Sequence, residues 1–212
     1  VTAEITVPKS VGEAVVIIPA DVDCGTVAVD TDTGEVVKLS VPTKEGMTVK
    51  LAGSAELVLV DRTRPWMLDK YFDAAHFRIL DKPVDQQTLF RELCAQLEGE
   101  GFVGAEFLDS VVEREAIVST MLGDGIALPH SLGLLAQETV VYTVLAPHGV
   151  QWGDETAHVI FLLAISKSEY EEAMAIYDIF VTFLRERAMS RLCSCGDFAG
   201  FKAVAMESLS RF

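Results

Sequence analysis

The spacing of apolar and polar positions changes once along the chain, near residue 66. Before that point the apolar residues come in short runs rich in Val and Ile. Residues 14–19 (AVVIIP), 25–30 (GTVAVD), 34–41 (GEVVKLSV), 47–52 (MTVKLA) and 55–61 (AELVLVD) read as strands. VVKLSV and MTVKLA alternate apolar with polar residues, as half-buried strands do. Turn signals separate the runs: Asp32-Thr33-Gly34, Lys44-Glu45-Gly46 and Gly53-Ser54. TDTGE matches a tight hairpin turn, with Gly34 free to take a positive φ. No helical period occurs here. Residues 1–66 are therefore expected to form a small antiparallel β module, which by itself buries little core.

The segment 61–69, DRTRPWMLD, is the expected junction, with Pro65 as a breaker of local structure. From there the pattern is mixed α/β. Leu89, Phe90, Leu93, Cys94 and Leu97 make a helical stripe over residues 86–99. Asp85 is its expected N-cap, and Gly99 and Gly101 end it. A second helix is predicted over 105–115, with Phe107, Leu108, Val111 and Val112 inward. Strands are predicted at 126–128 and 140–145, and a fully buried central strand at 157–165. One long amphipathic helix is expected over 169–188, with Met174, Tyr177, Ile179, Phe180 and Leu184 toward the core, and a last helix over 198–209. Residues 67–212 thus read as an α/β domain, a mixed sheet flanked by helices, preceded by the small antiparallel β domain.

The chain has 212 residues, half of them hydrophobic, and a formal net charge of -15. A real core is possible, so global disorder is excluded. The acidic surface repels phosphate backbones, so no nucleic-acid partner is expected, whereas a basic protein surface would suit it. No apolar run reaches the roughly 20 residues that span a bilayer, so no membrane insertion is expected. The start, VTAEITVPKS, lacks the basic opening and apolar stretch of a secretory signal. It begins without Met, as a processed chain or a piece of a larger one does. Cys24, Cys94, Cys193 and Cys195 read as reduced thiols of a cytoplasmic protein.

Common nucleotide and hydrolase motifs are missing. The chain has no phosphate-binding G-x-x-x-x-G-K-[ST], no G-x-G-x-x-G after a strand, no G-x-S-x-G and no H-E-x-x-H. Its histidines, His76, His130, His148 and His158, are dispersed, so neither a metal nor a cofactor is expected. His148, between Pro147 and Gly149, reads as a surface turn residue, and His76 as structural.

The segment 111–130, VVEREAIVSTMLGDGIALPH, is where chemistry concentrates. A charged helix end carries Arg114, Ser119 and Thr120 follow, and then come Gly123 and Gly125 around Asp124. A short apolar strand ends in Pro129-His130, the proline stiffening the backbone before the imidazole. Such a histidine, with an unperturbed pKa of about 6.5, is a nucleophile at cell pH. In GVQWGDETAHVIFLLAIS, His158 stands at the start of the buried run, and its strand end is expected to lie near His130. Two histidines with Arg114 suit phosphoryl chemistry, since a guanidinium gives charge-assisted contacts to phosphoryl oxygens. Backbone N–H groups of the glycine loop would add to them.

R-E-x-x-x-S-T, the glycine loop, I-A-L-P-H, W-G-D and x-H-V-I-F-L-L-A-I, in that order, resemble the enzyme IIA domain of the bacterial sugar phosphotransferase system, fructose/mannitol type. The resemblance covers about residues 68–209. It implies that His130 accepts a phosphoryl group from the phosphohistidine carrier protein HPr and passes it to a IIB domain. It implies that His158 and Arg114 stabilise the phosphoryl group, and that Ser119, Thr120, Gly123 and Gly125 shape the loop. The chain departs from the family after His130, where Ser131-Leu132-Gly133-Leu134-Leu135 carries no charge, and at 171–174, which has no histidine. The same domain type occurs in transcription regulators and antiterminators, so a phosphorylation-sensing role, or a degenerate relative, remains open. Cys24-Gly25-Thr26 after an apolar strand invites comparison with IIB domains, but residues 27–60 lack the helices such a fold needs.

Overall fold

The computed structural model describes residues 63–209 except 175, together with six earlier strands. Side chains are described from residue 67 on, except at 171, 172 and 175. The chain divides into two compact units, Val1–Trp66 and Met67–Phe212.

The first unit contains β1 (Glu4–Thr6), β2 (Glu13–Ile18), β3 (Val27–Asp30), β4 (Val36–Val37), β5 (Met47–Ala52) and β6 (Glu56–Val60). They form a four-stranded sheet in the order β1-β6-β3-β4 and a separate β2-β5 pair. Every pairing is antiparallel. Val29 opposite Val36 makes β3 and β4 a hairpin. The tip of that hairpin, Gly34 included, and Cys24 lie outside the described residues.

Helix α1 (Thr63–Tyr71) spans the unit boundary. Pro65 was expected to break the chain but sits in its first turn. There a missing N–H removes no helical hydrogen bond, so the proline starts the helix instead of interrupting one.

The second unit is built on a five-stranded mixed sheet, in the order β7-β10-β11-β9-β8. Its strands are β7 (Phe77–Ile79), β8 (Met121–Gly123), β9 (Ile126–Ala127), β10 (Val140–Trp152) and β11 (Glu155–Ala164). β10 and β11 are antiparallel, whereas β7 runs parallel to β10 and β9 parallel to β11. Both faces of the centre are covered, which explains the unbroken apolar run in β11. Val159, Phe161 and Leu163 face one core, with Met67, Leu68, Phe72, Phe180 and Phe201. Ile160, Leu162 and Ala164 face the other, with Leu89, Phe90, Leu93, Phe107 and Val111.

Helix α2 (Gln86–Gly99) matches its predicted span. The Asp85 carboxylate accepts the Thr88 N–H at 2.9 Å. Gly101, with φ 85°, closes the other end, where the Phe102 N–H reaches Leu97 O. Helix α3 (Glu106–Ile117) buries Phe107 and Val111. Strand β10 runs past its predicted end at Leu145, through a register shift between Leu145 and Val150. The bulge contains Pro147-His148-Gly149, with Gly149 at φ 76°, so the local sequence reads as a turn while the strand continues. His148 is exposed there, and Trp152 is buried edge-on against Phe90. His76 is buried, with its ring nitrogens on Asp73 and Glu100.

The long helix expected over 169–188 is divided. A short 3-10 turn leads into α4 (Tyr170–Ala173), and α5 (Ile176–Arg185) follows. The Tyr177 N–H bonds to Met174 O, a closure of three residues where an α-helix would have four. Arg187, at φ 47°, ends α5, with its own N–H on Leu184 O and the Ala188 N–H on Phe183 O. This is a helix stop that normally uses glycine, so its sequence signal was absent. Helix α6 (Met189–Cys193) and α7 (Phe198–Leu209) complete the unit.

Candidate active site

His130 lies just beyond β9. Leu163 of β11 donates its N–H to Pro129 O at 2.9 Å, and His130 bridges to Leu163 in parallel register. The backbone before the imidazole is thus tied to the central strand. His130 Nδ1 lies 2.8 Å from Leu128 O. A carbonyl oxygen only accepts, so Nδ1 carries the proton and Nε2 keeps its lone pair. Arg114, in the last turn of α3, donates its Nε–H to that Nε2 at 3.1 Å. A second Arg114 nitrogen donates to Val118 O at 2.7 Å, which holds the guanidinium against the end of its own helix.

Burial pushes the imidazole below the ordinary value of 6.5, and the Arg114 charge pushes the same way. The Leu128 carbonyl and the Glu115 carboxylate oppose them without reversing the shift. His130 is therefore neutral near pH 7, with its Nε2 lone pair on the Arg114 N–H and its ring at the wall of a cleft. The cleft measures about 410 Å³, and Leu132, Leu163, Tyr170, Met174 and Tyr177 line it around His130.

Thr120 supports this arrangement without entering the cleft. Its backbone N–H bonds to the two Glu115 carboxylate oxygens at 3.1 and 3.2 Å, and its hydroxyl donates to the same carboxylate. Its carbonyl accepts the Leu128 N–H at 3.0 Å. Thr120 thereby connects α3, which carries Arg114, to the segment after β9 that carries His130. Ser119 is exposed, accepts the Met121 N–H at 3.2 Å, and lines a different groove with Glu115 and Gly153.

His158 is not brought to His130. Ile126 pairs with Val159 and Ala127 with Ile160 in parallel register, so His130 falls beside Leu163. His158 is five residues earlier on β11. At about 3.3 Å per residue, that is about 16 Å along the strand. Its Nδ1 donates to Ala146 O at 3.1 Å, and its backbone N–H donates to Gly125 O at 2.7 Å. Gly123 and Gly125, at φ 118° and 74°, turn the chain from β8 into β9 at that same far edge. The glycine loop therefore shapes a hairpin and packs on His158, and it offers no N–H groups to His130. Sequence proximity of each histidine to a strand terminus does not say which termini meet. In a parallel pair the start of one strand and the end of the other lie at opposite edges.

A family model described as "Phosphoenolpyruvate-dependent sugar phosphotransferase system, EIIA 2" matches residues 70–204, well over half the chain. The chain belongs to that family. Its EIIA region is 31% identical over 98 residues to a mannitol-specific EIICBA component of the phosphotransferase system from Buchnera aphidicola, covering 44% of this chain and 15% of that protein. It is 22% identical over 111 residues to the transcriptional regulator ManR of Bacillus subtilis, covering 52% of this chain and 16% of the regulator. The chain thus spans only a small part of the curated relatives it matches. In fold, the EIIA domain superposes on a solved complex of enzyme IIAMTL with phosphorylated enzyme IIBMTL from Escherichia coli. The TM-score is 0.55 at 20% identity, covering 64% of this chain and 99% of that one.

In this EIIA domain the cleft beside His130 is lined by uncharged residues, most of them apolar. Leu132, Leu134 and Tyr170 are 49%, 39% and 44% exposed, and Ile117 and Val118 beside Arg114 are more exposed still. Tyr170, Met174 and Tyr177 were not singled out as site residues by their sequence context. Their signal was topological, because the chain leaving β11 returns to the His130 edge. Among the described residues no three His, Cys, Asp or Glu side chains gather as a metal site, and no helix is long and apolar enough to cross a membrane.

Proposed function

We propose that this EIIA domain is a phosphoryl carrier, with His130 Nε2 as the acceptor. The observation that carries the reading is the Arg114 contact, which places a permanent cation on the nitrogen that holds the lone pair. An HPr-like phosphohistidine carrier is the donor. His130 Nε2 attacks its phosphorus, the new N–P bond forms as the donor's N–P bond breaks, and the electron pair returns to the donor imidazole. Arg114 then turns its N–H groups to the phosphoryl oxygens, where charge-assisted bonds are strongest. The reverse chemistry passes the group to a IIB component. The exposed apolar rim of Leu132, Leu134 and Tyr170 suits docking of both partners around the histidine, and the net charge of -15 favours basic ones. In this reading residues 67–212 are the carrier domain, residues 1–66 a separate β module, and the domain acts in the cytoplasm.

The test is phosphorylation with phosphoenolpyruvate, enzyme I and HPr, read as an acid-labile phosphate by intact mass. Label on the wild type and none on His130→Ala is the expected result. A folded wild type that takes no label from a cognate HPr overturns the reading. The similarity to the regulator ManR favours a second reading, in which the phosphoryl group is a signal. Transfer onward to a IIB protein separates the two, since a sensor keeps the group.

A further inference from the structure

Arg114 meets His130 at Nε2 without lining the cleft, and a phosphoryl dianion has more acceptor sites than one guanidinium fills. His158 and the glycine loop lie at the other edge of the sheet. The side chains lining the cleft supply O–H groups from three residues: Ser131, Tyr170 and Tyr177. The Ser131 hydroxyl is engaged by Gly133 O at 2.5 Å. Two phenols are left.

Tyr170 opens α4 and Tyr177 stands in the first turn of α5, so the division of the predicted long helix falls between them. Tyr170 and Tyr177 line the same cleft as His130, and the Tyr177 phenol lies within electrostatic reach of Tyr170 and the Arg114 guanidinium. Burial raises the Tyr177 phenol above its ordinary value, so it stays protonated and can donate.

We propose that Tyr170 and Tyr177 are a phenol pair that donates hydrogen bonds to the oxygens of the phosphoryl group carried on His130. This rests on the carrier reading above. The phenols keep their protons throughout: the N–P bond to the donor breaks, the bond to His130 Nε2 forms, and the hydroxyls only follow the charge on the oxygens. They hold the group opposite Arg114 without adding a second positive charge.

The experiment compares wild type, Tyr170→Phe, Tyr177→Phe and the double variant in the same HPr-dependent phosphorylation. The readouts are initial rate, the lifetime of the phosphohistidine and its ³¹P chemical shift. Phenylalanine keeps the ring of residue 177 against Phe180, so packing is preserved. The expected result is a loss of about tenfold or more in rate for the double variant, because hydrogen bonds to charged groups are the stronger class. A moved ³¹P resonance is expected with it, a signature that a purely structural role would not give. If the double variant does not fold, Tyr177→Phe alone supplies the comparison. A wild type that labels normally, with a folded variant matching it in rate, lifetime and resonance, overturns the phenol role alone. A wild type that takes no label overturns the carrier reading and the phenol role with it.

Discussion

Arg114 donates its Nε–H to His130 Nε2 at 3.1 Å, from a helix that ends 13 residues before the histidine. The contact selects the tautomer from one side, and Leu128 O selects it from the other. Removing the imidazole, as in His130→Ala, is expected to abolish labelling. Arg114→Lys keeps the charge but loses the planar fork and the bond to Val118 O. It is expected to slow phosphorylation by about tenfold or more, and Arg114→Ala by a larger factor. Initial rates by quenched-flow or intact mass check both.

The depressed pKa of His130 has two consequences in the same pH window. The rate of phosphorylation is expected to rise with pH to a plateau, with a midpoint below 6.5, because only the neutral imidazole attacks. Arg114→Ala is expected to move that midpoint upward, since the guanidinium is one of the groups lowering it. For stability, the unfolded chain binds a proton on this residue at pH values where the folded chain does not. Stability from this group is therefore complete above about 6.5 and falls as pH drops toward the lower, folded-state value. Denaturant melts of wild type and His130→Gln across pH 5–8 isolate the contribution.

His158 is expected to matter for folding and not for transfer. His158→Ala loses the bond to Ala146 O and the packing against Gly125 and Gly149, and is expected to destabilise the domain by about 1 kcal/mol. The phosphorylation rate is expected to stay within about twofold. A lowered melting temperature with an unchanged rate is the predicted pair of results. A collapse in rate for a folded variant would bring His158 back to the active site.

Phe161 lies at the centre of one core, with ring centroids of Phe72, Phe180, Phe183 and Phe201 at 4.9 to 6.2 Å. Phe161→Ala is expected to destabilise the domain by about 3–5 kcal/mol, from lost burial and the cavity it leaves. Thermal unfolding measures it. Ile160 and Leu162 on either side of it in β11 point to the opposite core, so a Leu162→Ala change would test the other layer independently.

Periodicity along the chain determined the elements that are amphipathic on their own. Helix α2 has its stripe, its Asp85 cap and its glycine stop all within 17 residues, so its bounds were legible to the residue. The central strand β11 was legible because both of its faces are apolar. The nucleophile candidate and its arginine were legible too, since the apolar strand before Pro129-His130 and the charged end of α3 are local features. Local pattern failed where a signal had two meanings. Pro65 reads as a breaker and serves as a helix start. Pro147-His148-Gly149 reads as a turn and is a bulge in a continuing strand. Arg187 ends a helix in a conformation that side chains seldom take. Which groups share the cleft with His130 was decided only by tertiary structure. That choice depends on the direction and register of β9 against β11, because hydrogen bonds between strands, which no single segment encodes, determine which strand ends meet. Parallel pairing sent His158 and the glycine loop to one edge, and brought Tyr170 and Tyr177 to the other.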